Sequence, residues 1–208
     1  MRQTESFQAL IDALKLAVAT LRDAHIPFAL GGSLAAWARG GPEPQNDLDL
    51  MVKPDHAEAA LKALAGAGMR VERPPEEWLF KAWHDEVLID LIFYPSGVEL
   101  TDEVFARGET MSVMALTTPV MALEDVLVTM LYALDEHALD YSRLLAITRA
   151  LREQINWTAL ARRASGSPYA KAFITLVREL GIAPELERTP EARAGEAHTR
   201  VRVVGATE

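Results

Sequence analysis

Leu30-Gly31-Gly32-Ser33 and, after a thirteen-residue spacer, Asp47-Leu48-Asp49-Leu50-Met51-Val52 decide how this chain is read. The first part follows an apolar run, Ile26-Pro27-Phe28-Ala29-Leu30, that reads as a short strand. It precedes Leu34-Ala35-Ala36-Trp37-Ala38, which is helical by propensity. Two glycines between a strand and a helix let the backbone turn tightly and approach a ligand closely. The N–H groups and partial positive charge of a helix start suit an anion, so Gly31, Gly32 and Ser33 are candidate phosphate-binding residues. In the second part the alternation places Asp47 and Asp49 on one face of a strand and the aliphatics on the other. Adjacent like charges repel. A hard divalent cation such as Mg2+, which takes carboxylate oxygens together with substrate phosphates, would offset them. The plain alternative is the solvated side of a half-buried strand, and Asp-x-Asp alone does not exclude it.

Moving outward, Pro54 reads as the first position of a helix with Ala57, Ala60, Leu61 and Leu64 on its buried face, ended by Gly66 and Gly68. Met69–Glu72, Trp78–Trp83 and Glu86–Tyr94 read as strands, the last two turned at His84-Asp85. The last of these holds the third informative acid. Val87-Leu88-Ile89-Asp90-Leu91-Ile92-Phe93 is apolar except for Asp90, which suggests burial on both faces. A carboxylate there must be paired, metal-bound or protonated, because leaving it bare costs several kcal/mol, on the order of 3–5. Lys81 just upstream is a candidate cation; an arginine partner for Asp90 would be a purely structural solution.

Upstream, Phe7, Leu10, Ile11, Leu14, Val18 and Leu21 recur at three- and four-residue steps and predict an amphipathic helix over about 6–24. Downstream, Met111–Leu116 reads as a last strand. Thr118 and Pro119 read as N-cap and first position of a helix, with Glu124 and Asp125 early enough to favour its dipole. Helices follow at about Tyr141–Gln154, Trp157–Ala164 and Pro168–Leu180. His137, beside two acids, reads as a capping or solvated residue rather than a ligand. After Ala183 the chain is rich in Glu, Arg, Ala and Pro without an apolar period, which predicts a disordered tail over 183–208. The expected division is therefore 1–117, 118–182 and the tail.

Half of the 208 residues are hydrophobic, enough for a sizeable core, and no apolar run reaches the length of a membrane span. There is no cysteine, which excludes disulfides, thiolate metal sites and a cysteine nucleophile. The N-terminus lacks the pattern of a secretion signal, so a cytoplasmic location is the expectation. A net charge of −9 argues against broad nucleic-acid binding. The charge is uneven, however: residues 141–178 carry about +6 and the remainder about −15.

The hydrophobic-Gly-Gly-Ser turn, the spacer, Asp47-Leu48-Asp49-Leu50 and the later Asp90 in Leu88-Ile89-Asp90-Leu91-Ile92 together resemble the polymerase-β-type nucleotidyltransferase superfamily. The resemblance covers roughly residues 25–95. The helices after it are similar to those of small bacterial stand-alone members, among them aminoglycoside nucleotidyltransferases and the AbiEii-like toxins of type IV toxin–antitoxin systems. The resemblance implies an α+β nucleotidyltransferase fold, a mixed β-sheet flanked by helices, with a C-terminal helical bundle closing a cleft. It implies that Gly32 and Ser33, with Gly31, hold the triphosphate of an NTP. It implies that Asp47, Asp49 and Asp90 bind two Mg2+ ions, with Asp90 beside the attacking hydroxyl. Two metals about 4 Å apart would stabilise both the entering and the leaving oxygen of an in-line displacement. The sequence departs from the pattern of toxin-like relatives at Met130, where those often have lysine, and at Pro44-Gln45-Asn46, where many relatives have Arg or Lys.

The first functional reading is a Mg2+-dependent enzyme moving an NMP to a hydroxyl on a small molecule, tRNA or a protein. The alternatives are a toxin that modifies tRNA and pairs with an antitoxin, and a non-catalytic nucleotide-binding regulator of the same fold. A further alternative is a phosphate-binding domain of another class with a coincidental Asp-x-Asp.

Overall fold

The structure, a computed structural model, describes residues 2–44 and 47–184. Gln45 and Asn46, and all but the first two residues of the expected tail, lie outside the described residues. In chain order the elements are α1 (Arg2–Asp23), β1 (Phe28–Leu30), α2 (Gly32–Ala38), β2 (Asp47–Val52), α3 (Pro54–Gly66), β3 (Arg70–Glu72), β4 (Leu79–His84) and β5 (Val87–Ile92). They continue as α4 (Asp102–Arg107), β6 (Glu109–Val113), β7 (Leu116–Val120), α5 (Leu123–Tyr132), α6 (Ser142–Leu151), α7 (Trp157–Arg163) and α8 (Pro168–Glu179). One mixed seven-stranded sheet runs β3-β4-β5-β2-β1-β7-β6. The β2–β5 and β1–β7 pairs are parallel and the others antiparallel. This is the α+β architecture that the sequence implied.

The alternation of β2 and β5 sets the two faces. Leu48, Leu50 and Val52 of β2, Ile89 and Leu91 of β5 and Ala82 of β4 are wholly buried. They lie beneath α1 and α3, whose Leu14, Ala17, Val18, Leu21, Ala60, Leu61 and Leu64 complete that layer. The opposite face of β5 is not closed: Leu88 and Asp90 are half-buried, so the expectation of burial on both sides does not hold. Helices α5 to α8 pack on one another around Leu127, Leu131, Leu160 and Phe173, and α5 also packs on α2.

Three segments differ from their sequence reading. Thr118 and Pro119 do not start a helix: they belong to β7, and α5 begins only at Leu123. A division after residue 117 would therefore cut a strand of the sheet. Met111–Leu116 is not one strand; Met114 and Ala115 both take positive φ, 51° and 61°, and turn the chain between β6 and β7. Finally, α4 lies unexpected between the Gly97 turn and β6. Its signals are present, with Thr101 at the N-cap, Asp102 and Glu103 in the first turn, and Arg107-Gly108 at the end.

Candidate active site

Asp47 and Asp49 stand two residues apart on β2 and share its half-buried face. The parallel register sets Asp49 opposite Asp90 and Asp47 opposite Leu88. Neighbouring strands lie about 4.8 Å apart, so all three aspartates occupy one small patch. On the far side of β2 the chain leaves β1 at Gly31, whose N–H donates to the Asp49 carbonyl at 2.9 Å. Gly31 is the N-cap of α2 and its carbonyl accepts the N–H of Ala35. The N–H groups of Gly32, Ser33 and Leu34 therefore belong to the first helical turn, where no carbonyl of the same helix can reach them.

Glycine is dictated at residue 32. Its φ is +51°, and a Cβ there would fall 1.7 Å from Oδ2 of Asp49. At Gly31 a Cβ would meet the Met51 methyl at 2.4 Å. The turn thus lies directly against the carboxylate. Ser33 is 8 % exposed, beside it in the first turn of α2. All six residues singled out from the sequence therefore meet at one place, where β1, β2 and β5 converge with the start of α2.

Charge in the patch is unbalanced. Burial, then Asp47, then Asp90 push the Asp49 carboxyl from 3.8 up to about 7, against a smaller opposing pull from Arg143. Burial also raises Asp90, partly offset by Lys81, with Asp47 raising it further. Oδ1 of Asp90 is buried and has no hydrogen-bond partner. Among the described residues no arginine lies within ion-pair distance of Asp90, so the purely structural pairing is not what the fold uses. Nor, among the described residues, are any three His, Cys, Asp or Glu side chains arranged to enclose an ion outright. The donor set nevertheless suits a hard divalent cation: carboxylate oxygens only, one of them buried without a partner, in a cluster whose mutual repulsion a cation would relieve.

Two cations complete the patch. Lys81 of β4 is in register with Asp90, as its place in the sequence suggested. Arg143, at the start of α6, lies close enough to Asp49 to lower its pKa. The sequence marked Arg143 only as one member of a basic segment. It lies outside the stretch that carries the motif, and only packing of α6 brings it near. Other members of that segment are engaged elsewhere: Arg163 pairs with Asp125 at 2.5 Å and Arg152 with Glu153 at 3.0 Å. His137 is exposed and its backbone N–H donates to Asp135, with no sign of a ligand role.

The fold has counterparts among solved structures. The solution structure of the antibiotic-resistance factor ANT(2'')-Ia superposes with a TM-score of 0.57 at 16% identity, over 87% of this chain and 97% of that one. The crystal structure of ANT(2'')-Ia in complex with adenylyl-2''-tobramycin gives the same TM-score and identity, over 78% of this chain and 98% of that one. At these identities the likeness shows the fold. The lincosamide antibiotic adenylyltransferase LnuA, bound to lincomycin, is more distant, with a TM-score of 0.46 at 13% identity over 67% of this chain and 92% of that one. No curated protein matches the sequence. A family model described as uncharacterised nucleotidyltransferase matches residues 9–183, most of the chain, and to that nucleotidyltransferase family the protein belongs.

Proposed function

We propose that the protein transfers an NMP from an NTP to a hydroxyl group of a small molecule, with release of pyrophosphate, in a Mg2+-dependent in-line displacement. The observation that carries this reading is one row across the sheet, Gly31–Asp49–Asp90, with Asp47 on the same face and Gly32 closed against Asp49. Two Mg2+ ions held by Asp47, Asp49 and Asp90 would supply stabilisation of the entering and leaving oxygens. Gly31, Gly32 and Ser33 admit the triphosphate close to the backbone, where the N–H groups of the first turn of α2 face it. Arg143 adds positive charge over Asp49 from the helical side. Asp90 lies on the side of Asp49 away from the glycine turn, where an in-line acceptor must enter. Asp90 would complete the metal site beside the acceptor hydroxyl, where the bound cation would favour loss of the hydroxyl proton. The chemistry then needs positioning and charge neutralisation more than a nucleophilic side chain.

A small-molecule acceptor is favoured over tRNA. The ANT(2'')-Ia complex contains an adenylylated small molecule. In this chain Arg163 and Arg152 are already paired with carboxylates, which reduces the basic surface available to phosphates. A tRNA-modifying toxin with an antitoxin would need that surface. A non-catalytic regulator would leave three mutually repelling aspartates without a use.

The test is incubation with each labelled NTP, Mg2+ and a small-molecule extract. A labelled adduct should form, EDTA should abolish it, and Asp47→Asn or Asp49→Asn should lower its rate at least about 100-fold while the protein stays folded. Turnover that survives either substitution, or chelation, overturns the reading.

A further inference from the structure

The row that holds the aspartates continues beyond them. Asp90 is in register with Lys81 of β4, and Lys81 with Glu72 of β3. A second row runs parallel to it: Asp47, Leu88, Trp83, Arg70. Paired residues of adjacent strands point to the same side, so Lys81, Trp83 and Arg70 stand on the face that carries the carboxylates. Helices α1 and α3 cover the other face, and here Lys81, Trp83 and Leu88 are only half-buried. The guanidinium of Arg70 stacks on the Trp83 ring, 3.7 Å from its centroid, which fixes a positive charge at the outer edge. Glu72 lies 4.0 Å from Arg70 and is about half exposed. Among the described residues Lys81 has no carboxylate oxygen within 4.0 Å.

We infer that the acceptor is an anion: a hydroxyl compound bearing a carboxylate or phosphate, lying across β4 and β3 with its hydroxyl at Asp90 and its negative group at Lys81 and Arg70. This rests on the transferase reading above. With the triphosphate over the glycine turn, the acceptor enters from the opposite side of Asp90, where the row continues to Lys81 and then to Glu72 at the sheet edge. The three aspartates are committed to metal and Arg70 is shared with Glu72, so the charge left to greet the acceptor is first that of Lys81. Strand spacing sets the scale: Lys81 is one strand from Asp90, about 5 Å, and Arg70 is two strands across and two residues along, about 12 Å. A small molecule spans this. The Leu88–Trp83 floor suits its carbon skeleton.

The test works on an acceptor whose identity is still open. A small-molecule extract is split by ion exchange into anionic, neutral and cationic fractions, each incubated with the full-length protein, labelled NTPs and Mg2+. Label transfer with the anionic fraction is expected, and phosphatase treatment of that fraction separates phosphate from carboxylate. Transfer confined to the neutral or cationic fraction overturns the inference and leaves the transferase reading standing. Absence of transfer with every fraction overturns both. For the acceptor purified from the active fraction, Lys81→Met should raise KM at least tenfold with kcat within a few-fold, and Lys81→Arg should restore it. An unchanged KM in Lys81→Met rules out the contact.

Discussion

Gly32 and Asp49 are separated in sequence by the spacer and in space by less than the width of a methyl group. Gly32→Ala introduces a Cβ in the left-handed region, a cost of about 1–2 kcal/mol, and pushes the Asp49 carboxylate aside. Activity should fall at least about 100-fold, a loss of some 3 kcal/mol of transition-state stabilisation. The melting temperature should drop by only a few degrees. A folded variant with normal turnover would show that the contact does not matter. Asp49 itself makes the second prediction. Burial and the neighbouring Asp47 and Asp90 push its carboxyl up from 3.8 to about 7. Folding therefore takes up protons, and the stability linked to the protonated form is intact below about pH 4 and is lost as the pH rises to about 7. Asp49→Asn escapes this loss. In chelator-treated buffer at pH 8 it should exceed the wild type by on the order of 2 kcal/mol, a value reduced from full linkage because water reaches the site. The difference should close towards pH 4, and Mg2+ at pH 8 should stabilise the wild type more than the variant. Thermal melts across pH decide it.

Among the elements, those with strong local signals are readable. The alternation in β2, the glycine turn into α2, and the Pro54 start and apolar stripe of α3 all carry their own period or cap. The segment around Thr118 misleads because Thr-Pro followed by acids satisfies the rules for a helix start, while the pairing that wins is remote: β7 lies between β1 and β6. The β6–β7 turn is invisible in the sequence because Met114-Ala115 lacks the Asn-Gly or Asp-Gly that usually marks two positive-φ residues. Asp125 is the sharpest case. It reads as an acid placed early in a helix to favour the dipole, yet it is fully buried. Arg107 donates to it from the end of α4 at 3.0 and 3.3 Å, and Arg163 from α7 at 2.5 Å. Asp125→Ala would leave two arginines facing one another, and the expected loss is about 3 kcal/mol, read from a denaturant melt. A loss under about 0.5 kcal/mol would show that the clamp contributes nothing.

Across the whole molecule, the site draws on both halves of the chain. The carboxylates and the glycine turn come from the first 92 residues, and Arg143 arrives with α6. The acidic cluster is legible because its motif is compact in sequence. Neither Arg143 nor the Arg70–Trp83 stack is legible, since each depends on a pairing that no local pattern announces. Charge counted along residues 141–178 suggests a broad basic face, but folding pairs Arg152 and Arg163 with carboxylates.

The parallel pairing of Leu30 with Val120 has a consequence for the chain as it is made. β1 gains β2 as a neighbour early, but its other edge stays open until β7 has been synthesised. At about 5–20 residues per second, the stretch from Ile92 to Val120 takes roughly one to six seconds to appear on the ribosome. Throughout that interval the nascent protein presents a short apolar strand with unmatched backbone donors and acceptors, the kind of edge on which chains stick together. Synonymous slow codons placed between residues 92 and 120 should therefore lower soluble yield, and the same codons placed after residue 179, when β7 has left the ribosome, should not. Fractionation of cell lysates would compare the two, and the amino-acid sequence would be identical in both.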